Sequence, residues 1–273
     1  MNVNATTARI VKLGNGLEVT IDERGDAAGS GGAGVLLLHG GAGPRSVAPL
    51  AGALSEHAYV VTPVHPGFDG TPRVPWLDSV ADLADAYLDL LAELGLDTVM
   101  VIGNSIGGWI ASEIALRDID GRVKSLVLIN ATGIRPDGPG QVVDIRTLPP
   151  AEIGKLSFYN QALVPDPAAM TDRQRAGMAA NQQTMAVYGG EDFFFARKLR
   201  RRLHRVTVPV LVAWGQADGI FPVAYGRAYA AAFPNGHFAA IAEAGHMPQL
   251  EQPGALLGAI GNFVDTVIKP DGD

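Results

Sequence analysis

The 273-residue chain contains no cysteine. That absence removes disulfides, thiolate nucleophiles and cysteine-ligated zinc together, so any chemistry must be drawn from Ser, His, Asp and Glu. Positive charge is also short. Against 28 Asp and Glu stand 21 Lys and Arg, for a formal charge of −7. Duplex binding needs a basic footprint that neutralises phosphates, so nucleic acid is not an expected partner. Long apolar runs are missing as well. Stretches such as Gly34 to Leu38 and Val206 to Trp214 fall far short of the roughly 20 residues that a bilayer core requires, so no membrane span is expected. Met1 to Lys12 carries no basic segment followed by an apolar one, and the expectation is a cytoplasmic protein.

What is present is enough for one large core. Hydrophobic residues make up 47% and charged residues 18%, a composition that folds. The 34 glycines and 18 prolines exceed the roughly 12% of average usage, which calls for many tight turns. Arg9 to Lys12 and Leu17 to Ile21, separated by Gly14-Asn15-Gly16, read as a hairpin because Asn-Gly supplies positive φ. Six β-branched, apolar runs follow at Val35 to Leu38, Tyr59 to Thr62, Thr98 to Ile102, Ser125 to Ile129, Val208 to Trp214 and Phe238 to Ala242. They alternate with amphipathic stretches, as in an α/β, mostly parallel, doubly wound sheet. One such stretch repeats Val80, Leu83, Ala84, Tyr87, Leu88, Leu91 and Leu94 at helical spacing and stops at Gly95. Another runs from Leu256 to Val267, after Pro253.

The rhythm breaks between Ile134 and Arg205. Prolines 136, 139, 149, 150, 165 and 167 punctuate helical pieces there, and no strand run appears. This segment holds Met170, Met178, Met185, Phe158, Phe193, Phe194 and Phe195, so it has apolar surface to bury, either as a satellite of the core or as a lid. The basic run Arg197, Lys198, Arg200, Arg201, Arg202 and Arg205 reads as a solvated helix face, because Phe195, Leu199, Leu203 and Val206 recur between the charges.

Chemistry concentrates at VMVIGNSIGG, Val99 to Gly108. Here G-x-S-x-G lies between an apolar strand and a helical pattern, the context in which a sharp turn holds a strained serine, Ser105, with its hydroxyl exposed. Serine needs a base, and the base needs an orienting acid. Asp218 follows the run Val208 to Trp214, and His246 follows Phe238 to Ala242. Both positions are strand ends, where open α/β sheets place their ligands. Among the other histidines, His57, His204 and His237 lie in a polar helix end, a basic run and a turn. His65 follows a strand and lies in a loop, while His39 ends the strand Val35 to Leu38; either could line the site, with loop fixing the favoured role for His39. The rival acids Glu243, Asp192 and Asp69 do not follow a late strand with room for a turn. In His39-Gly40-Gly41-Ala42-Gly43 the glycines allow amides to face a reacting oxygen. The expected oxyanion donors are the amides of Gly41 and Ile106.

HGGAG, GNSIGG, the acid of GQADGIFP, the histidine of GHMPQLEQP and the loop PGFDG (Pro66 to Gly70) resemble the α/β-hydrolase superfamily over nearly the whole chain. The resemblance implies a core of residues 1–133 and 206–273 with a helical cap at 134–205, and no metal or organic cofactor. Haloalkane dehalogenases and epoxide hydrolases carry Asp at the nucleophile position, so Ser105 argues against both. Asn104 resembles the GNSxGG of hydrolases that cleave carbon–carbon bonds in ring-fission products, from which the chain departs where Met247-Pro248 replaces their usual Trp. Asn104, His39 and Met247 are the expected substrate contacts. The expected activity is hydrolysis of a small or medium, largely apolar carboxylic ester through an acyl-enzyme, with Ser105, His246 and Asp218 as nucleophile, base and acid. The alternatives are a carbon–carbon hydrolase of ring-fission diketones and a non-catalytic ligand-binding or receptor protein on the same fold. The partner is a small-molecule substrate; a homodimer is left open.

Overall fold

The sheet opens on the hairpin of β1 (Thr7–Lys12) and β2 (Glu18–Arg24). Gly16, at φ 85°, closes the three-residue loop, with Leu13 and Leu17 bonded across it at 2.8 Å. Three-residue hairpins put a left-handed residue at that position, which favours glycine. The computed structural model describes residues 7–135, 142–166, 168–192 and 194–268. Readings that rest on Met1 to Thr6, Pro136, Pro139, Pro167 and Phe193 lie outside them.

After the hairpin come β3 (Ala33–Leu38), α1 (Ala48–Leu54), β4 (Val60–Pro63), α2 (Val80–Glu93), β5 (Thr98–Asn104), α3 (Ile106–Arg117) and β6 (Val123–Ile129). Then follow α4 (Pro150–Ser157), α5 (Asp172–Gly189), β7 (Val210–Gly215), α6 (Val223–Ala230), β8 (Gly236–Ile241), α7 (Pro248–Glu251) and α8 (Pro253–Phe263). The strands form one eight-stranded sheet in the order β1-β2-β4-β3-β5-β6-β7-β8. β2 pairs antiparallel with β1 and β4, and the remaining pairs are parallel. This is the α/β-hydrolase arrangement.

Both faces of the central strands are buried, which is why they read as unbroken apolar runs. Along β3, Leu36 and Leu38 join one core with the helical residues Leu83, Tyr87, Ile110 and Tyr225. Val35 and Leu37 join the other, with Leu50 of α1 and Leu256, Ile260 and Phe263 of α8. The two-residue period of a strand makes this division. α2 starts at a capping box in which Ser79 and Asp82 each bond the other's backbone amide, satisfying two otherwise unpaired donors.

The structure moves several expected boundaries. β7 starts at Val210 and not Val208, because Pro209 has no amide hydrogen to give the ladder. His237 lies in β8 and not in a turn. The C-terminal helical pattern loses its α register after Phe263 and ends in a π turn, Val264–Ile268. The basic run is not a helix face. Leu199, Arg202 and Arg205 donate to the carbonyl three residues before, in successive tight turns that leave Arg197, Arg201 and Arg205 exposed while Leu199 and Leu203 are buried. Arg202 reaches back to Glu113 of α3 at 2.5 Å. Between β6 and β7 the described residues contain helices and turns and one isolated bridge, Gly133 to Phe195. Met178 is 41% exposed, so the apolar surplus of this insertion is incompletely buried. No helix among the described residues is long and apolar enough to cross a membrane.

Two glycine substitutions separate close packing from open helix. A Cβ on Gly107 of α3 would overlap the carbonyl oxygens of Leu38 and His39, whereas one on Gly177 of α5 meets nothing within 4 Å. Urea unfolding should show Gly107→Ala losing about 1–3 kcal/mol and Gly177→Ala gaining about 0.5–1 kcal/mol from reduced chain entropy. A Gly107→Ala protein as stable as the parent would contradict this packing.

Candidate active site

β5 runs straight into α3 through Ser105, which sits at φ 55°, ψ −119°. A non-glycine residue in so sparsely populated a region costs about 1–3 kcal/mol and persists only when its surroundings hold it. Here they do. The Ser105 amide donates to Ile129 O at 2.9 Å, and its carbonyl accepts from Gly108 and Thr132 at 3.0 and 3.1 Å. Gly103 and Gly107 allow the turn, since a Cβ on Gly103 would strike the Gly107 backbone. The hydroxyl is thereby set above the carboxyl ends of the parallel strands.

Two strand ends further along the sheet supply its partners. His246 Nε2 lies 3.0 Å from Ser105 Oγ, and His246 Nδ1 lies 2.7 Å from Asp218 Oδ2. A carboxylate only accepts, so Nδ1 carries the proton and Nε2 is free to accept from the serine hydroxyl. The other carboxylate oxygen of Asp218 accepts from the amides of Ile220 and Phe221, each at 2.9 Å. Phe221 stacks on the His246 ring at 5.6 Å. The three residues are brought together from positions far apart in the chain.

Sequence reasoning missed Asn130. At the end of β6, with φ 43°, its Nδ2 donates to Asp218 Oδ2 at 2.7 Å and its Oδ1 accepts from the Gly215 amide at 3.1 Å. The available signal was a lone asparagine closing the apolar run Ser125 to Ile129, and asparagine tolerates positive φ better than most residues. The rival acids are placed elsewhere: Asp192 pairs with Arg197 at 2.5 Å and Asp69 faces Arg45 at 3.8 Å.

The loop after β3 lies between the serine and the insertion. A Cβ on Gly40 would come 3.1 Å from Ser105 Cβ, and one on Gly41 would strike the sulfur of Met185 on α5. Ile106 is the first residue of α3, so its amide is among those that a helix leaves unpaired. Neither that amide nor the Gly41 amide donates to another described residue.

His39 is a correction: the structure makes it a brace of this loop and not a substrate contact. It is fully buried, and both ring nitrogens are spent. Nδ1 donates to Gly40 O at 2.8 Å, and Nε2 accepts from the His65 amide at 3.1 Å. His65 in turn donates from Nε2 to His39 O at 2.9 Å and accepts at Nδ1 from Tyr87 at 2.5 Å. Both rings are thus neutral with fixed tautomers, and burial pushes His39 down to about 4 and His65 well below the ordinary histidine range. Asn104 is likewise turned inward. Fully buried, it donates to Ile129 O at 3.2 Å and to His246 O at 3.5 Å, while its Oδ1 has no partner among the described residues. Met247 is buried next to His246, its sulfur 3.8 Å from the Gln249 amide nitrogen. Among the described residues no cluster of three or more His, Asp or Glu is placed to hold a metal.

Residues 35–259 match the model of the alpha/beta hydrolase family. The chain is 28% identical to 2-hydroxy-6-oxononadienedioate/2-hydroxy-6-oxononatrienedioate hydrolase 1 of Dechloromonas aromatica, covering 90% of this chain and 91% of that protein. It is 29% identical to the pimeloyl-[acyl-carrier protein] methyl ester esterase of Aromatoleum aromaticum, over 80% and 93%. Among solved structures, the carboxylesterase CesB of Bacillus subtilis superimposes with a TM-score of 0.71 at 21% identity, over 95% and 92%.

The buried histidines make stability pH-dependent with a definite sign. Neutral in the folded chain and titrating near 6.5 when unfolded, each favours unfolding as pH falls below about 6.5 and adds a slope of up to about 1.4 kcal/mol per pH unit until its folded value is reached, about 4 for His39. Urea unfolding between about pH 6 and 4.5 should therefore show a slope that falls by about one proton in His65→Gln. Equal slopes would contradict the buried neutral assignment.

Proposed function

The chain belongs to the alpha/beta hydrolase family, which its residues 35–259 match, and on that footing we propose that it is a serine hydrolase of small or medium, largely apolar carboxylic esters. The observation that carries this reading is the relay of 3.0 and 2.7 Å contacts from Ser105 through His246 to Asp218. In the proposed cycle Ser105 Oγ attacks the ester carbonyl while His246 Nε2 takes the hydroxyl proton. Asp218 holds the imidazole in orientation and balances the imidazolium that forms. The Gly41 and Ile106 amides donate to the tetrahedral oxyanion, where preorganised donors are worth most. His246 passes its proton to the departing alcohol, leaving an acyl-serine. Water, deprotonated by His246, then releases the acid and restores the serine.

Apolar substrate specificity is supported by what surrounds the relay. Phe221 covers His246, Phe194 packs edge-on against Phe221 at 5.2 Å, and Met185 lies over Gly41. Such side chains adapt to irregular apolar groups. The insertion is proposed to act as a cap over the relay, with Met247 as a substrate contact. Similarity to a methyl ester esterase agrees with the ester reading.

Carbon–carbon hydrolysis of a ring-fission diketone is the second reading. It draws on the 28% identity to the Dechloromonas hydrolase and on the unpartnered Asn104 Oδ1. The ester reading is preferred because the Asn104 amide nitrogen is committed to backbone carbonyls, which suits a brace beneath the elbow. The two part on substitution. Ser105→Ala should cut turnover of an activated ester about a thousandfold or more, since the relay acts as a unit. Asn104→Ala should lower ester turnover only a few-fold while stability drops by about 1–3 kcal/mol through lost buried hydrogen bonds. Undiminished ester turnover in Ser105→Ala would reject the mechanism, and a parent enzyme that cleaves a vinylogous 1,5-diketone faster than any short-chain ester would reverse the preference. Rapid labelling of Ser105 by a phosphonate followed by measured hydrolysis would favour the enzyme, whereas ligand-induced closure of the cap with negligible turnover would favour a binding protein.

A further inference from the structure

An α-helix leaves its last four carbonyls without internal partners, and those of α4 are all taken. Gly154 O accepts from Phe158 N at 3.2 Å and Lys155 O from Gln161 Nε2 at 3.2 Å, both within the insertion. The other two cross to the core. Leu156 O accepts from the amide of Gly219, next to Asp218, at 3.0 Å, and Ser157 O accepts from the amide of His246 itself at 2.7 Å. The seam is too close for side chains: a Cβ on Gly245 would strike the Ser157 carbonyl, and one on Gly219 would come within 3.0 Å of Leu156 O.

One charged side chain spans this seam. Glu251, at the end of α7, accepts from the Gly245 amide at 2.6 Å with Oε2 and from the Asn160 amide at 2.8 Å with Oε1. Each of its carboxylate oxygens is thus met by one backbone donor. Bonds from amides to a carboxylate are about twice as strong as neutral ones. A single carboxylate therefore ties the residue before His246 to the insertion, across the same line where α4 receives the His246 amide.

We propose that Glu251 is a positioning residue that holds the His246 turn against the insertion and so sets Nε2 at bonding distance from Ser105. This rests on the reading of His246 as the general base. A residue that merely stabilised the insertion would change thermal stability and KM. One that sets the base must also change kcat and the rate at which Ser105 reacts.

The test compares the full-length parent with Glu251→Ala and Glu251→Gln, measuring thermal unfolding, kcat and KM for p-nitrophenyl butyrate, and the rate of Ser105 labelling by a fluorophosphonate. Glu251→Ala should lower kcat and the labelling rate together by about 10- to 100-fold, with KM within about threefold, the scale of a lost hydrogen bond to a charged group. Glu251→Gln keeps one acceptor oxygen and should recover part of both rates. Should Glu251→Ala not fold, Glu251→Gln carries the decision, with loss in both rates supporting the proposal and parental rates overturning it. Folded variants with parental kcat and labelling, or with a change in KM alone, would overturn the positioning role while leaving the base assignment standing. A parent protein that neither labels nor turns over would instead remove the base reading beneath it.

Discussion

A buried carboxylate is the constraint to which the rest of the site answers. The Asp218 side chain is fully enclosed, and an ionised group taken out of water is tolerable only if its lone pairs are met. Four donors meet them: the amides of Ile220 and Phe221, the Asn130 amide group and His246 Nδ1. They come from its own turn, from the end of β6 and from the loop after β8. Satisfying one charge thus ties three neighbouring strand ends, and the imidazole that results has its free nitrogen facing Ser105.

The serine side of the site is held by close packing instead of charge. Gly103 and Gly107 bring β5, α3 and β3 within a distance that a Cβ would prevent, and that proximity fixes both the positive φ of Ser105 and the approach of the Gly40-Gly41 loop. Behind this loop lies the neutral pair His39 and His65, tilted 33° with centroids 3.7 Å apart, and His39 occupies the Gly40 carbonyl. In front of it α5 docks through three bonds from one helical face: Asn181 accepts from the Asp69 amide at 2.9 Å, Thr184 donates to Gly67 O at 2.9 Å, and Tyr188 donates to Pro66 O at 2.7 Å. The insertion is therefore fastened at two places, by α5 to the loops around Gly41 and by α4 to those of Asp218 and His246.

Much of this was legible in the sequence because it is encoded locally. Apolar runs buried on both faces mark the central strands, and the tight spacing of Gly103, Ser105 and Gly107 marks the elbow. Chain position after late strands singled out Asp218 and His246. What stayed hidden depends on partners distant in sequence. Asn130 meets Asp218 across 88 positions and Asn160 meets Glu251 across 91, and no periodicity links such pairs. The turns of the basic run are hidden for a related reason. Leucines four apart fit a helix, yet the seat of Arg202 on buried Glu113 is a tertiary contact that accompanies tighter turns.

The central claim is that Ser105, activated by His246 and Asp218, becomes covalently acylated. Its most direct test is rapid-quench mass spectrometry of the parent protein with a slowly deacylated p-nitrophenyl ester. The account predicts a burst of p-nitrophenol close to one equivalent and an acyl mass increment on the peptide containing Ser105, absent in Ser105→Ala. Hydrolysis of the ester with neither burst nor increment, or an increment on a different residue, would contradict it.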